Sequence, residues 1–360
     1  MTENTLKKHV SAVAKSLKNL SLDAAVITSA TNVSYLTGFS GDDSWALIIG
    51  RRTFLLTDSR YLEQALKECP ACKVVQRTKG LVDEAASIIA RSKSVKTVGV
   101  EDTTSIAIFD TIRKKIGVKV KKISRLVENI RTIKSPEEIA CIRKAGTIAD
   151  ASLDSALKQI ATGITESWLA GLIEFEMRKR GANISFDTIV AFGPNASRNH
   201  HTPGTRKLKK RDTILIDFGA RYKGYCSDKT RCFAVGKPTK IYQDAYNTVA
   251  DAQAAGIKAV ANGVSCAKID SLARKVIEDA GFTPYEHGLG HGLGMEVHEM
   301  PILSKLSKEK LRTGQVITIE PGIYVPGKFG IRIEDDIVVT ETGCKILSRT
   351  NKSPELKMLL

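Results

Sequence analysis

The sequence predicts two domains, an α/β domain over residues 1–128 followed by an α+β domain over residues 129–360. Three observations carry this. Short apolar strand patterns alternate with amphipathic helical ones as far as residue 125, which reads as an α/β layer. A strong helix start, Ser135-Pro136-Glu137-Glu138, then closes a stretch of weak patterning. It offers an N-cap serine, a proline at the first helical position and a glutamate at the third. Beyond it the order helix, helix, strands occurs twice, predicting a pseudo-twofold internal repeat, although little identity between the halves is visible. At 360 residues the chain can supply each domain with its own core.

In the first domain, Thr5 to Leu17 has helical amphipathic spacing, and Ala24-Ala25-Val26-Ile27 is a short buried strand. Trp45 to Ile49 and Thr53 to Thr57 flank Gly50-Arg51-Arg52 as a hairpin. Tyr61 to Glu68 is helical, and Val74-Val75 suits another strand. Val82 to Arg91 predicts a helix, Thr97 to Val100 a strand, and Ile106 to Ile116 a helix. Nothing here looks like chemistry, and its one histidine, His9, is expected to be structural or exposed.

In the second domain the capped helix runs to about Ile160. Thr165 caps another through Arg180, closed by Gly181. Strand patterns follow over Thr188 to Phe192, Thr213 to Gly219 and Tyr225 to Val235. The second pass gives helices over Ile241 to Ala261 and Ser265 to Ala280, then strands over Gln315 to Glu320 and Ile331 to Thr340.

Composition is that of an ordinary soluble globular protein, 42% hydrophobic and 26% charged. The net charge of +16 is shared equally by residues 1–130 and 131–360. Its densest cluster, Arg113 to Lys122, is placed on a helix end and turn. Without a nucleic-acid motif, a solvated basic surface is the simpler reading. Seven scattered cysteines, an odd number, make no disulfide framework, and Cys69-Pro70-Ala71-Cys72 has no second pair to complete a zinc knuckle. The polar N-terminus lacks an apolar leader, and no run approaches the roughly 20 apolar residues of a membrane span. A reduced, cytoplasmic protein is expected.

The chemistry gathers at Glu286 to Glu299, which holds His287, His291 and His298 among alternating glycines. So many glycines would weaken a helix. A glycine-rich strand or loop whose bare backbone allows close approach is expected, with a strand following over Leu293, Met295 and Val297. Imidazole is the commonest protein ligand for transition metals. The zincin pattern His-Glu-x-x-His is absent, so further ligands must come from distant positions. Asp217 ends the apolar strand Ile214-Leu215-Ile216, where an unpaired charge would be costly. A chain reversal at Tyr222-Lys223-Gly224 would set Asp228 opposite Asp217 or one place off. Like charges that close need a shared proton or a cation. Glu320 ends Val316-Ile317-Thr318-Ile319 before Pro321-Gly322, and Glu334 lies within Ile331 to Val339. Two Asp, two Glu and a His describe a dinuclear divalent-metal site, with hydroxide between the ions as nucleophile.

Ile216-Asp217-Phe218-Gly219, Tyr225-Cys226-Ser227-Asp228, His287 to Gly292, Val297-His298-Glu299, Ile319 to Tyr324 and Ile331 to Asp335 form an ordered series. It resembles the motifs of the pita-bread metallopeptidases, within them the prolidase and aminopeptidase P branch. Asn32 to Phe39 and Thr57-Asp58-Ser59-Arg60-Tyr61 are similar to that branch's extra N-terminal domain. The resemblance covers essentially the whole chain. It implies a creatinase-like α/β domain before a pita-bread domain. It also implies Asp217 chelating one metal, Asp228 and Glu334 bridging both, and His291 and Glu320 holding the other. His298 would contact the scissile carbonyl or tetrahedral intermediate, and Glu320 would pass a proton. His287 would line the substrate pocket with Tyr324, and Arg332 would steady a metal-binding carboxylate beside it. His200 would serve the oxyanion, although His201 competes for that position and Asn199 stands where the family usually has proline. The implied ions are Mn²⁺ or Co²⁺, with Zn²⁺ third. The implied substrates are proline-containing peptides cut at the Xaa-Pro bond, and the implied assembly is a homodimer.

Two other readings compete. One is a non-catalytic peptide or nucleic-acid binding protein on the same fold, supported only by the basic charge. The other is a metal-free amidinohydrolase like creatinase. The five metal-type side chains disfavour both.

Overall fold

The structure, a computed structural model, describes residues 2–347 and 357–359. It divides into two compact units, residues 1–131 and 132–360.

The first unit holds helices α1 (Glu3–Asn19), α2 (Ala30–Thr37), α3 (Leu62–Glu68), α4 (Leu81–Arg91), α5 (Ile106–Lys115) and α6 (Leu126–Arg131). Its strands are β1 (Ala24–Ile27), β2 (Trp45–Ile49), β3 (Arg52–Thr57), β4 (Lys73–Gln76), β5 (Thr97–Glu101) and β6 (Lys119–Ile123). They form one mixed sheet in the order β4-β3-β2-β1-β5-β6. Val26, Leu47, Leu56, Val98 and Val100 pack against Ala85 and Ile89 of α4 and Ile112 of α5. Three elements differ from the expectation: α2, β6 and α6, the last a helix within the stretch read as weakly patterned. Gly38, in a left-handed conformation, ends an unforeseen helix, α2. The basic stretch read as a turn contains β6, parallel to β5 from Thr97↔Lys119 to Glu101↔Ile123. Lys119, Lys121 and Lys122 are exposed on this edge strand, where charge discourages pairing with other chains.

In the second unit α7 (Pro136–Leu157) starts at the expected capping box and α8 (Glu166–Lys179) follows. Then come β7 (Asn183–Ile184), β8 (Ile189–Phe192), β9 (Thr213–Phe218), β10 (Ala220–Tyr222), β11 (Tyr225–Cys226) and β12 (Lys229–Val235). The second pass brings α9 (Lys240–Ala259), α10 (Cys266–Asp279), β13 (Gly290–Gly292), β14 (Glu299–Leu303), β15 (Val316–Ile319), β16 (Gly322–Val325), β17 (Phe329–Arg332), β18 (Asp335–Val339) and β19 (Cys344–Ile346); Lys357–Leu359 adds β20. The two larger sheets run β20-β12-β9-β8 and β14-β13-β15-β18-β19.

The halves repeat in detail. Gly163 N–H donates to Leu208 O and Leu208 N–H to Ile164 O; Gly263 N–H donates to Leu311 O and Leu311 N–H to Val264 O. Both glycines have positive φ, 97° and 80°. Thr165 and Ser265, the N-caps of α8 and α10, form matching bridges to Lys207 and Lys310.

Three expectations about the strands are corrected. Lys223 and Gly224 both have positive φ, as a two-residue type I′ hairpin requires. That turn pairs Tyr222 with Tyr225 and Asp217 with Thr230, so Asp228 lies two places from facing Asp217. The strands expected over Tyr225 to Val235 and Ile331 to Thr340 are each interrupted, at Ser227-Asp228 and Ile333-Glu334. The strand expected over Leu293 to Val297 is irregular chain, because the Glu299 carboxylate turns back to accept from Glu296 N–H. The regular strand, β14, begins only at Glu299.

Candidate active site

The alternating glycines around β13 have a steric cause. A Cβ at Gly290 would lie 2.0 Å from Thr318 O of β15, and one at Gly292 2.2 Å from Met300 O of β14. The close approach inferred for this bare backbone is that of its own neighbouring strands. Held between them, β13 directs His291 into a cavity of about 240 Å³.

Asp217, Asp228, His291, Glu320 and Glu334 all line that cavity. Asp217 comes from the end of β9 and Glu320 from the residue after β15. Asp228 and Glu334 occupy the interruptions before β12 and β18, where the chain leaves the ladder. Ligand atoms of Asp228, His291 and Glu334 lie within 4.8 Å of one another. His291 Nε2 is 3.3 Å from Glu320 Oε1 and 3.6 Å from Asp228 Oδ2. Arg332 Nη2 donates to Asp217 Oδ2 at 2.7 Å. Asp217 Oδ1 and Glu334 Oε1 are buried with no hydrogen-bond partner among the described residues.

This crowding sets the protonation. Burial, then the charges of Glu334, Asp217 and Glu320, push the Asp228 carboxyl well above its ordinary value. Burial and the Glu320 and Asp217 charges do the same to Glu334. Burial raises Asp217 too, against the pull of Arg332. Glu320 goes the other way: burial opposes its charge, but His291, His287 and Arg332 hold it at about 2. Burial opposes a charged His291, yet its bond to Glu320 favours the imidazolium. That imidazolium supplies part of the positive charge the carboxylates demand. Oxygen donors, one imidazole and two orphaned buried carboxylate oxygens fit hard or borderline divalent cations.

Around this cluster stand the other expected residues. His200, His287, His298 and Arg332 line the cavity. The His298 ring meets the His291 ring edge-on, with centroids 4.4 Å apart. Burial and His291 lower the pKa of His298, favouring the neutral ring. His200 is exposed at the cavity, whereas His201 is buried with Nε2 2.9 Å from Glu166 Oε2. Among these neighbours the cavity therefore takes His200. Tyr324 is absent from the lining. Its hydroxyl accepts from Arg332 Nη1 at 2.9 Å and lies 3.0 Å from His287 Nε2. His287 Nδ1 is 2.7 Å from Gly288 O, which can only accept, so Nδ1 carries the proton. Asn199 also lines the cavity, as does Ile302, an apolar strand residue with no chemical signal of its own.

Residues 140–341 match the model of metallopeptidase family M24, and residues 10–133 that of the creatinase/prolidase N-terminal domain. An Xaa-Pro dipeptidase of Pyrococcus furiosus is 35% identical over 96% of this chain and 99% of its own. Among solved structures, an Xaa-Pro dipeptidase from Bacillus anthracis superposes with TM-score 0.94 at 35% identity, covering 98% of this chain and all of its own. An X-Pro aminopeptidase from Thermotoga maritima superposes with TM-score 0.89 at 36% identity, covering 94% and 99%. The creatinase-type first domain, the pita-bread second domain and the cavity with its carboxylates and histidine thus have one explanation: this chain is a metallopeptidase and belongs to family M24.

Proposed function

We propose that the chain is an exopeptidase hydrolysing the Xaa-Pro bond at peptide N-termini, as an Xaa-Pro dipeptidase or aminopeptidase. The observation that carries the reading is the closed group Asp217, Asp228, His291, Glu320 and Glu334, with two buried carboxylate oxygens left unbonded. These five would hold two divalent ions, Mn²⁺ or Co²⁺ before Zn²⁺. Bound there, such ions would supply a water nucleophile at neutral pH and polarise the scissile carbonyl. The Xaa-Pro specificity is supported by the similarity to Xaa-Pro dipeptidases and an X-Pro aminopeptidase.

The protein's own residues divide the remaining work. Arg332 holds Asp217 in place through its bond to Oδ2. His298, its ring favoured neutral, donates toward the oxygen that gains charge as the carbonyl carbon becomes tetrahedral, and His200 donates beside it. Glu320, ionised beside His291, takes the proton shed by the attacking water and delivers it to the leaving nitrogen. The His287 ring forms part of the wall, with its tautomer fixed by Gly288 and Tyr324. A homodimer is part of the same proposal. Among the described residues the seven cysteines form no disulfide, and the proposed compartment is the cytoplasm. None of the described helices is long and apolar enough to cross a membrane.

The test is hydrolysis of an Xaa-Pro dipeptide beside an Xaa-Pro-Xaa tripeptide by Mn²⁺-loaded protein, with a chelated control. Cleavage of the dipeptide alone assigns a dipeptidase, and cleavage of the tripeptide an aminopeptidase. Cleavage of neither with any divalent metal refutes the proposal.

A further inference from the structure

Two fully buried threonines, Thr230 on β12 and Thr318 on β15, touch the candidate metal ligands. Arg332 Nε lies 2.9 Å from Thr230 Oγ1, which in turn lies 2.7 Å from Glu334 Oε2. A guanidinium can only donate, and a hydroxyl has one proton. Thr230 therefore accepts from Arg332 and donates to Glu334. The same logic holds on the other strand. His291 N–H donates to Thr318 Oγ1 at 3.1 Å, and the Thr318 hydroxyl donates to Glu320 Oε1 at 3.1 Å. Both side chains are β-branched and restricted at χ1, so each hydroxyl has a defined direction. Thr230 faces Asp217 across β9–β12, and Thr318 faces Asp336 across β15–β18, so ladder register fixes both positions.

We propose that Thr230 and Thr318 are positioning residues that clamp the metal-binding side chains in pairs. The proposal rests on the dimetal reading above. Thr318 ties the Glu320 carboxylate to the backbone of His291, so these two ligands keep one spacing. Thr230 ties Glu334 to Arg332, which also holds Asp217. Through its bond to Oε2, Thr230 orients the Glu334 carboxylate, whose Oε1 has no hydrogen-bond partner among the described residues. In strands, threonine is an ordinary residue, and a purely structural role would need only its shape and a satisfied hydroxyl. What distinguishes the two threonines is that both hydroxyl protons end on glutamates of the site.

Thr→Val keeps shape and removes the hydroxyl, whereas Thr→Ser keeps the hydroxyl. Mn²⁺ binding to metal-free protein is measured by titration calorimetry, beside the melting temperature of the metal-free protein. We expect Thr230→Val and Thr318→Val to weaken Mn²⁺ binding about 10–100-fold, the cost typical of losing such an outer partner. The corresponding serine variants should stay closer to wild type than to valine. Valine variants that bind Mn²⁺ with wild-type affinity, whatever their melting temperature, overturn the proposal. So do serine variants as weak as valine. If Thr230→Val fails to fold, Thr318→Val and Thr230→Ser decide the matter. Wild-type protein that binds no Mn²⁺ removes the dimetal reading itself, a result separate from intact wild-type binding with unaffected variants.

Discussion

At the scale of single residues, adjacent histidines do different work because their surroundings differ. Exposed His200 faces the cavity, while buried His201 serves Glu166, whose oxygens also accept from Phe192 N–H, Asn195 and Gly204 N–H. His200→Ala should lower kcat about 100-fold and leave the melting temperature nearly unchanged. His201→Ala should cost about 1–3 kcal/mol of stability by leaving a buried acceptor short of a partner. Equal effects of both substitutions on kcat and on thermal unfolding would contradict this division. Glu166 also gives a pH dependence. Burial opposes its charge, but the bonds from His201, Phe192, Asn195 and Gly204 prevail and hold its carboxyl below 4.5. A depressed carboxyl stabilises the fold above its unfolded value, and the benefit is lost as pH falls through the folded value. Glu166→Gln should therefore flatten the decline of stability below pH 4.5 in denaturant titrations, and an unchanged slope would count against it.

At the scale of elements, legibility followed how much of an element's cause is local. The α7 capping box is spelled by four consecutive residues, and its start was readable. In β6, Lys119-Val120-Lys121-Lys122-Ile123 carries only two apolar residues, so the pairing with β5 that makes it a strand left little trace. Acids in apolar strand patterns pointed to four of the five candidate ligands, and the glycine-rich stretch around His287 and His291 pointed to the fifth. Thr230 and Thr318 were not separable from ordinary strand formers, because their roles depend on register across the sheet. The register itself was misplaced because Lys223 and Gly224 form a two-residue turn, which shifts the pairing of β9 with β12. Glycines sort by the same distinction. Gly290→Ala meets Thr318 O at 2.0 Å and should prevent stable folding, whereas Gly171, inside α8 with nothing within 4 Å, has room for a methyl. Gly171→Ala should add ~0.5–1 kcal/mol by helix propensity. Urea midpoints of the two variants test the contrast, and a stable Gly290→Ala protein would refute the steric argument.

At the scale of the whole molecule, the second unit is a repeat that has put its chemistry between its halves. Asp217 and Asp228 come from the first pass of helices and strands, and His291, Glu320 and Glu334 from the second. The outcome is a cluster of buried carboxylates that repel one another, with His291 and Arg332 offsetting only part of the charge. Such a site stores instability in the metal-free fold, and a ligand that binds only the folded state relieves it. Mn²⁺ at 100 times its dissociation constant should stabilise the protein by about 2.7 kcal/mol for each ion bound, and chelation should reverse this. Asp228→Asn separates the two contributions, since it removes one carboxyl whose ionisation burial and its neighbours oppose, together with a ligand. Metal-free Asp228→Asn should be more stable than metal-free wild type by ~0.5–2 kcal/mol, yet gain little on adding Mn²⁺. Thermal melts of both proteins with and without metal give the four values needed. A metal-free variant less stable than wild type would mean that the cluster is held by its hydrogen bonds rather than strained by its charges, and would reverse the argument about what the metal relieves.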